Sequence, residues 1–220
     1  EYGEAYVEAQ KRVQAAQGRP IASLFELPKS TQSKVKTEIL FIERCLALLK
    51  PGGRLGIVLP EGVFNNPSLA YVREFCEDRA YIRAVVSLPQ ETFFSSGASV
   101  KASLLFLQKF SLEDQEKFNQ LKMQTRAEIE TKYAPIIEAE KAKETGENRK
   151  TSKKELAAYL KLMEATIIAE ARALLKERFD YPIFMYEAEK VGITATGEPD
   201  QNELFPNTNQ PQDCEKTCLE

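Results

Sequence analysis

The segment LLKPGGRLGIVLPEGVF, residues 48–64, constrains the fold of this chain more than any other. Upstream of it, apolar side chains recur at the spacing of one helical face: Ile39, Ile42, Leu46 and Leu49. Pro51-Gly52-Gly53 cannot continue a helix, so the chain must turn there. Leu55 to Leu59 is a short apolar run, typical of a strand buried on both faces of a parallel sheet. Glu61 and Gly62 follow its carboxyl end, where open α/β sheets hold ligands. The segment therefore predicts an α/β fold.

The other elements follow from breakers and apolar periodicity. Helices are predicted over 2–17, about 36–50 and 67–80, strands over 54–59, 81–88 and 100–110, and a loop over 89–99. Composition changes after Phe110, where two charged helical stretches, 111–142 and 152–178, flank a turn and predict an antiparallel pair. Tyr181 to Met185 resumes a strand-like run. The predicted organisation is a sheet domain over 1–110, a helical arm over 111–180, a strand or hairpin over 181–200 that returns to the sheet, and a polar, disordered tail over 201–220.

Histidine is absent from all 220 residues. This excludes Ser-His-Asp and Cys-His catalysis within the chain, and any His-ligated metal site. The four cysteines do not form a disulfide framework. Cys214 and Cys218 supply half of a zinc site, but no second pair lies nearby in the sequence. We therefore expect no metal.

The net charge of −3 argues against strong nucleic-acid binding by the chain as a whole, so a local patch or a partner must supply that attraction. Six basic residues cluster around the turn between the charged helices: Lys141, Lys143, Arg149, Lys150, Lys153 and Lys154. Of these, Lys150, Lys153 and Lys154 are candidate contacts to DNA phosphates. The alternative interpretation is a solvated helix turn.

Nothing in the sequence indicates a membrane or an export signal. No apolar run approaches the roughly 18 residues that span a bilayer. The first residues, Glu1-Tyr2-Gly3-Glu4, form neither a basic nor an apolar leader region. We expect a cytoplasmic protein without a membrane partner.

The loop QETFFSSGASVK, residues 90–101, places two adjacent phenylalanines among small and polar residues between two apolar strands. Adjacent residues of an extended chain point to opposite sides. One of Phe93 and Phe94 can therefore pack inward while the other faces a cleft, with Phe94 favoured as the exposed one. The alternative is that both lie in the core.

The blocks EILFIERCLALLKPGGRLGIVLPEGVFNNPSLAYVREF (38–75), IRAVVSLPQETFFSSGASVKASLLFLQK (82–109) and YPIFMYEAEKVGITATG (181–197) resemble the modification (M) subunit of type I restriction-modification systems. These are adenine-N6 DNA methyltransferases that use S-adenosylmethionine. Lys-Pro-Gly-Gly by itself is general to methyltransferases. Its combination with LPEGV and LPQETF narrows the resemblance to the DNA-modifying group.

The resemblance implies the C-terminal half of a Rossmann-like methyltransferase sheet with an added helical arm. The three strands would be the fifth, sixth and seventh, with the last antiparallel between the other two. The family's glycine-rich cofactor loop and Asn-Pro-Pro-aromatic catalytic motif have no match in residues 1–37. Asn65-Asn66-Pro67-Ser68 lacks the second proline and the aromatic residue, so it is interpreted as a turn and helix cap. We therefore expect a C-terminal fragment or truncated relative, with no catalytic residue of its own and no bound cofactor.

In the complete enzyme of such a family, the target adenine is flipped into a pocket. An aromatic residue between the sixth and seventh strands stacks on it, and Phe94 or Phe93 matches that position. Glu61 and Lys101 flank the same surface and are candidates for lining the cleft, although a purely structural role is equally compatible with the sequence. The implied partners are DNA, the specificity (S) subunit and the restriction subunit, and a homodimer is a further possibility.

Two other functions remain open. One is a methyltransferase-fold protein that acts on RNA. The other is a non-catalytic module whose helical pair docks the specificity subunit. The catalytic motif, which has no match here, would distinguish an enzyme that acts on RNA from one that acts on DNA. Stable binding to a partner without a catalytic contribution would favour the docking module.

Overall fold

The computed structural model describes residues 3–27, 35–145 and 153–204. The chain forms two compact units. One combines Glu1–Phe110 with Ile183–Glu220, and the other is Ser111–Pro182. The helical unit is therefore inserted, in sequence, between two parts of the sheet unit.

The sheet unit contains short helices and strands, of which α1 with 13 residues is the longest. In chain order they are α1 (Gly3–Ala15), a 3-10 helix (Ile21–Leu24), α2 (Thr37–Leu48), β1 (Arg54–Pro60), α3 (Gly62–Asn65), a 3-10 helix (Pro67–Leu69), α4 (Ala70–Glu77), β2 (Ala80–Ser87), a 3-10 helix (Gln90–Ser96), β3 (Ala102–Lys109), β4 (Phe184–Glu187), β5 (Val191–Ile193) and β6 (Pro199–Asn202).

A four-stranded mixed sheet of order β1-β3-β2-β4 forms the centre of this unit. β3 runs antiparallel to both β1 and β2, and β4 runs parallel to β2. The expectation that the third strand lies antiparallel between the other two is confirmed. The fold class is α/β, as the segment 48–64 predicts.

The prediction that the first strand is buried on both faces of a parallel sheet is wrong. β1 pairs antiparallel with β3 and stands at the end of the strand order. Its side chains alternate, so Leu59 is 1% exposed whereas Val58 is 50% exposed. The sequence does not show this alternation, because the exposed position 58 is also occupied by an apolar residue. The pleat of the strand nevertheless points successive side chains to opposite faces.

The main core lies between one face of this sheet and the two helices α2 and α4. The apolar stripe of α2 supplies Ile39, Ile42 and Leu46, and all three are buried. The helix ends at Leu48, and Gly52 then adopts a φ of +76°, in the left-handed region that favours glycine. A Cβ at Gly53 would lie only 2.9 Å from the Lys50 carbonyl oxygen. The turn that directs the chain from α2 into β1 therefore depends on glycine.

The helical unit is a pair formed by α5 (Leu112–Thr145) and α6 (Lys153–Arg178). Near the beginning of α5, the Phe118 ring meets Phe179, just after the end of α6, with centroids 5.2 Å apart. Further along α5, Ile129 packs with Ile167 in the middle of α6. The two helices are therefore antiparallel. None of the helices in the described part of the chain is long and apolar enough to cross a membrane.

After the helical unit, the chain returns to the sheet as β4. β5 and β6 then form a separate two-stranded sheet, with positive φ angles at Gly192 and Gly197. β6 extends to Asn202, past the predicted start of the polar tail at residue 201. The rest of the predicted tail, residues 205–220, lies outside the described residues.

Candidate functional site

The carboxyl ends of β1, β2 and β4 meet the amino end of β3. A single cross-strand row there joins four residues, in the order Leu59, Ser103, Ser87 and Glu187. Because the strand ends converge, residues that are far apart in sequence come together at this edge. It is the edge at which the sequence predicts a site.

Glu61 is held at this edge by two hydrogen bonds. Its backbone N–H donates to the Lys101 carbonyl oxygen at 3.0 Å. The Ser103 hydroxyl, 3% exposed at the residue level, donates to Glu61 Oε2 at 3.0 Å. A buried donor fixes the Glu61 carboxylate in one orientation. Glu61 is therefore a hydrogen-bond acceptor in a defined position and not a mobile surface charge.

The Lys101 side chain pairs with a different carboxylate, that of Glu187. Its Nζ lies 3.3 Å from Glu187 Oε1 at the end of β4. Both side chains are substantially exposed, so the ion pair stabilises the fold little. The structure thus brings Lys101 and Glu61 to the same strand ends but pairs the lysine with Glu187.

The two phenylalanines stand on a 3-10 helix, Gln90–Ser96, where the sequence predicts an irregular loop. Phe93 packs against a small apolar cluster of Val86, Leu88 and Ala188, whereas Phe94 is 40% exposed. Successive residues of a 3-10 helix are separated by a third of a turn, and this separates the two rings. The argument from an extended loop is therefore wrong, although it placed Phe94 outward as well.

Backbone hydrogen bonds close the end of this short helix. Gly97 has a φ of +80°, and its N–H donates to the Phe94 carbonyl at 2.9 Å. The Ala98 N–H donates to the Phe93 carbonyl at 3.1 Å. The backbone of both phenylalanines is therefore tied to the turn that follows, which gives Phe94 a defined position.

The lysine candidates belong to the other unit. Lys150 lies outside the described residues. Lys153 is the first residue of α6, and Lys154 beside it is exposed.

Sequence reasoning missed Ser103 and Glu187 as parts of this region. Ser103 is a small polar residue on the side of β3 that also carries the buried Leu105 and Leu107, so the alternation of the strand predicts that it is buried. Glu187 carries no comparable signal, because its place depends on the pairing of β4 with β2 across the inserted helices.

The thiol of Cys76 is buried. Burial, with a smaller contribution from Glu77, raises the pKa of Cys76 to about 12, so this thiol stays protonated at neutral pH. Among residues 3–27, 35–145 and 153–204, no group of three metal-ligating side chains is placed to hold a metal ion. Cys214 and Cys218 lie outside these ranges.

Comparison with known proteins places the chain in a family. The sequence model of the family described as N-6 DNA Methylase matches residues 14–177, about three quarters of the chain. This chain belongs to the N-6 DNA methylase family. The methylase subunits of the type I restriction enzymes EcoKI, from Escherichia coli (strain K12), and StySJI, from Salmonella typhimurium (strain LT2), are each 28% identical to this chain over 96 residues.

Those matches cover 43% of this chain and 17% of each relative. The matched part of the chain therefore spans about a sixth of the length of these curated relatives. The resemblance to type I modification subunits is confirmed.

Two solved structures resemble parts of the chain. A protein described as a class I S-adenosylmethionine-dependent methyltransferase from Listeria monocytogenes is 33% identical, covering 41% of this chain and 27% of that one, with a TM-score of 0.37. A chain from a study of type I R-M complex assembly and conformational transition is 23% identical, covering 74% and 43%, with a TM-score of 0.35. The fold assignment accordingly rests on the sheet order and the family match.

Two turns among the described residues lead from a strand into a short helix at this edge of the sheet. Close approach of a backbone to a nucleotide-like ligand uses a glycine-rich turn between a strand and a helix. The turn after β1 enters the four-residue helix α3, and the turn after β2 enters the 3-10 helix that carries Phe94. Neither of these two turns is the glycine-rich turn of a nucleotide-binding fold.

Proposed function

We propose that this chain is part of a site-specific adenine-N6 DNA methyltransferase, the modification subunit of a type I restriction-modification system, acting in the cytoplasm. The complete enzyme uses S-adenosylmethionine to methylate an adenine flipped out of the duplex. Membership of the N-6 DNA methylase family and the similarity to two type I methylase subunits support this proposal.

The observation that carries the flipped-base proposal is the exposure of Phe94 beside a packed Phe93. A base removed from the duplex loses its stacking neighbours, and an aromatic face replaces them. Stacking of this kind is worth roughly 1–3 kcal/mol per base. Phe94 is the stacking residue in this proposal, and Phe93 anchors the short helix that presents it.

Glu61 and Lys101 have separate roles in the same proposal. The Glu61 carboxylate, oriented by Ser103, accepts a hydrogen bond from the base or its flanking nucleotide. Lys101 contacts a phosphate by leaving Glu187, since a surface ion pair exchanges partners at little cost. Lys150, Lys153 and Lys154 are the proposed phosphate contacts of the helical unit.

A series of substitutions at Phe94 tests the stacking role in the full-length enzyme. DNA with 2-aminopurine at the target adenine reports flipping as a rise in fluorescence. Phe94→Tyr keeps the ring and should keep the rise. Phe94→Ala and Phe94→Leu remove the ring and should reduce the population of the flipped base by about 5–150-fold, with cofactor affinity unchanged. Phe106→Ala, at a phenylalanine of similar exposure on β3, is the control. Normal flipping in both Phe94→Ala and Phe94→Leu would refute the assignment.

The chain alone is proposed to be inactive and to bind no cofactor, because its sequence contains neither the glycine-rich loop nor the Asn-Pro-Pro-aromatic motif. Isothermal titration of S-adenosylmethionine into the chain should give no measurable heat of binding. Micromolar binding would contradict this part of the proposal.

A second candidate function is that of a docking module for the specificity subunit. The helical pair is a unit of its own and exposes large apolar side chains, with Met123 74% and Leu162 63% exposed. Binding of the chain to a purified specificity subunit should weaken in Met123→Glu and Leu162→Glu but not in Phe94→Ala. Equal binding by all three variants would exclude these two residues from the docking surface. The restriction subunit and DNA complete the proposed set of partners.

A further inference from the structure

The β5–β6 hairpin lies against the 3-10 helix that carries Phe94. Val191 at the start of β5 and Leu204 just after β6 pack on the same cluster as Phe93, the cluster of Val86, Leu88 and Ala188. At the hairpin turn, a Cβ built on Gly197 would lie 3.5 Å from the Ser95 Cβ, at van der Waals contact. The hairpin therefore shares an apolar cluster with the short helix and lies close to that helix at its turn.

The hairpin is in turn attached to the sheet by one carboxylate. Glu203 Oε2 accepts a hydrogen bond from the Tyr186 hydroxyl of β4 at 2.9 Å and from the Glu189 N–H at 3.1 Å. The Glu203 N–H donates to the Lys190 carbonyl at 3.0 Å. These bonds fasten the end of β6 to the segment between β4 and β5, so the hairpin can resist displacement rather than swing freely.

We propose that the β5–β6 hairpin is a positioning element for the base-capture site: through Leu204, Val191 and Gly197 it holds the 3-10 helix, and thereby Phe94, in place. Tyr186 and Glu203 are positioning residues, because they act on Phe94 only through the hairpin. The inference rests on the proposed function only for the role of Phe94 in stacking on the flipped base. The holding of the helix is a property of the chain itself.

Hydrogen exchange of the intact chain tests the proposal without DNA. The reporters are the Gly97 and Ala98 amides, which bond the carbonyls of Phe94 and Phe93. In Leu204→Ala and in Tyr186→Phe, exchange at these two amides should accelerate about fivefold or more, the effect of losing one typical net interaction. Amides of β3 that pair with β1 should stay within about twofold of the wild-type rate.

Two further variants serve as matched controls. Leu204→Ile keeps the apolar contact and should exchange like the wild type. Lys190→Gln removes the exposed Lys190–Asp200 ion pair of the same hairpin, 3.5 Å long, and should leave Gly97 and Ala98 unchanged. If Leu204→Ala fails to fold, Tyr186→Phe carries the test, since it deletes a single oxygen atom.

Unchanged exchange at Gly97 and Ala98 in the variants would overturn the proposal, and so would a uniform acceleration that includes β3. This result is independent of the stacking assignment. If Phe94→Ala leaves base flipping intact in the full-length enzyme, the stacking role fails, whereas the exchange data still decide whether the hairpin holds the helix.

Discussion

Ser103 illustrates how one buried hydroxyl can order a functional carboxylate. It is 3% exposed, and its hydroxyl hydrogen points to Glu61 across the ends of two strands. Hydrogen bonds to charged groups contribute more than neutral ones, and a buried partner left without its bond costs additional free energy. The residue therefore links the stability of the sheet to the geometry of the site.

Replacing Ser103 with alanine should lower the free energy of unfolding by about 1–3 kcal/mol, because Glu61 loses its buried donor. Urea denaturation followed by circular dichroism measures this. Ser68→Ala is the control, since that hydroxyl bonds Asn66 at an exposed helix start and should cost clearly less. Equal losses in the two variants would show that burial of Ser103 adds nothing.

Cys76 gives a residue-level prediction on pH. Its pKa in the folded chain is raised from 9.0 to about 12, chiefly by burial. A raised pKa means that the stabilising contribution is complete below pH 9 and is lost as pH rises toward 12. Unfolding curves at pH 8 to 11 should show a smaller alkaline loss of stability in Cys76→Ala than in the wild type. Parallel curves for both proteins would contradict the assignment.

At the scale of elements, the α5–α6 pair combines a narrow apolar contact with ion pairs between the helices. Ile129, Ile167 and Ala171 form one buried cluster between the helices. Arg126 bonds Glu164 at 2.6 Å, and Arg178 bonds Glu128 at 2.8 Å, on exposed faces. Burial contributes much more to stability than solvated pairs do, so the apolar contact should dominate.

Ile167→Ala should therefore destabilise the helical unit by about 2–5 kcal/mol, since Ile167 is buried and a cavity remains. Arg126→Ala should change stability far less. The comparison uses urea unfolding monitored at 222 nm, where the long helices dominate the signal. A larger effect of Arg126→Ala would mean that the ion pairs, and not the core, hold the helices together.

Much of the element pattern could be predicted from the sequence, because apolar spacing and breakers act locally. The Pro-Gly-Gly turn, the strand after it and the charged helices are examples. The pairing of β4 with β2 and the place of Glu187 depend on contacts across the whole insertion, which local patterns do not encode. The 3-10 helix that contains Phe94 could not be predicted, because its seven residues are too few to show an apolar periodicity.

At the scale of the whole molecule, β1 closes one end of the sheet with an apolar edge. Within the described residues it pairs with β3 alone, and Val58 is half exposed on it. Edges of this kind recruit further strands unless charges or cover prevent it.

We expect the isolated chain to self-associate through this edge, which would account for a homodimer. Val58→Lys should shift it toward the monomer in sedimentation or light-scattering measurements, because a charge on the edge opposes strand addition. Val100→Lys, at a similarly exposed valine before β3, should not. A wild-type chain that is monomeric at all concentrations would contradict the prediction.

The order of the strands also carries a consequence for synthesis. Ala84 pairs with Phe184, so the fourth strand reaches the ribosome exit only after the whole helical insertion. The contact of Phe118 with Phe179 brings the two ends of that insertion together and so shortens the effective loop that must be closed. Early folding of the helical pair would thus bring β4 close to β2, the strand with which it pairs. A chain whose synthesis stalls before residue 183 would leave the edge of β2 unpaired and prone to aggregation.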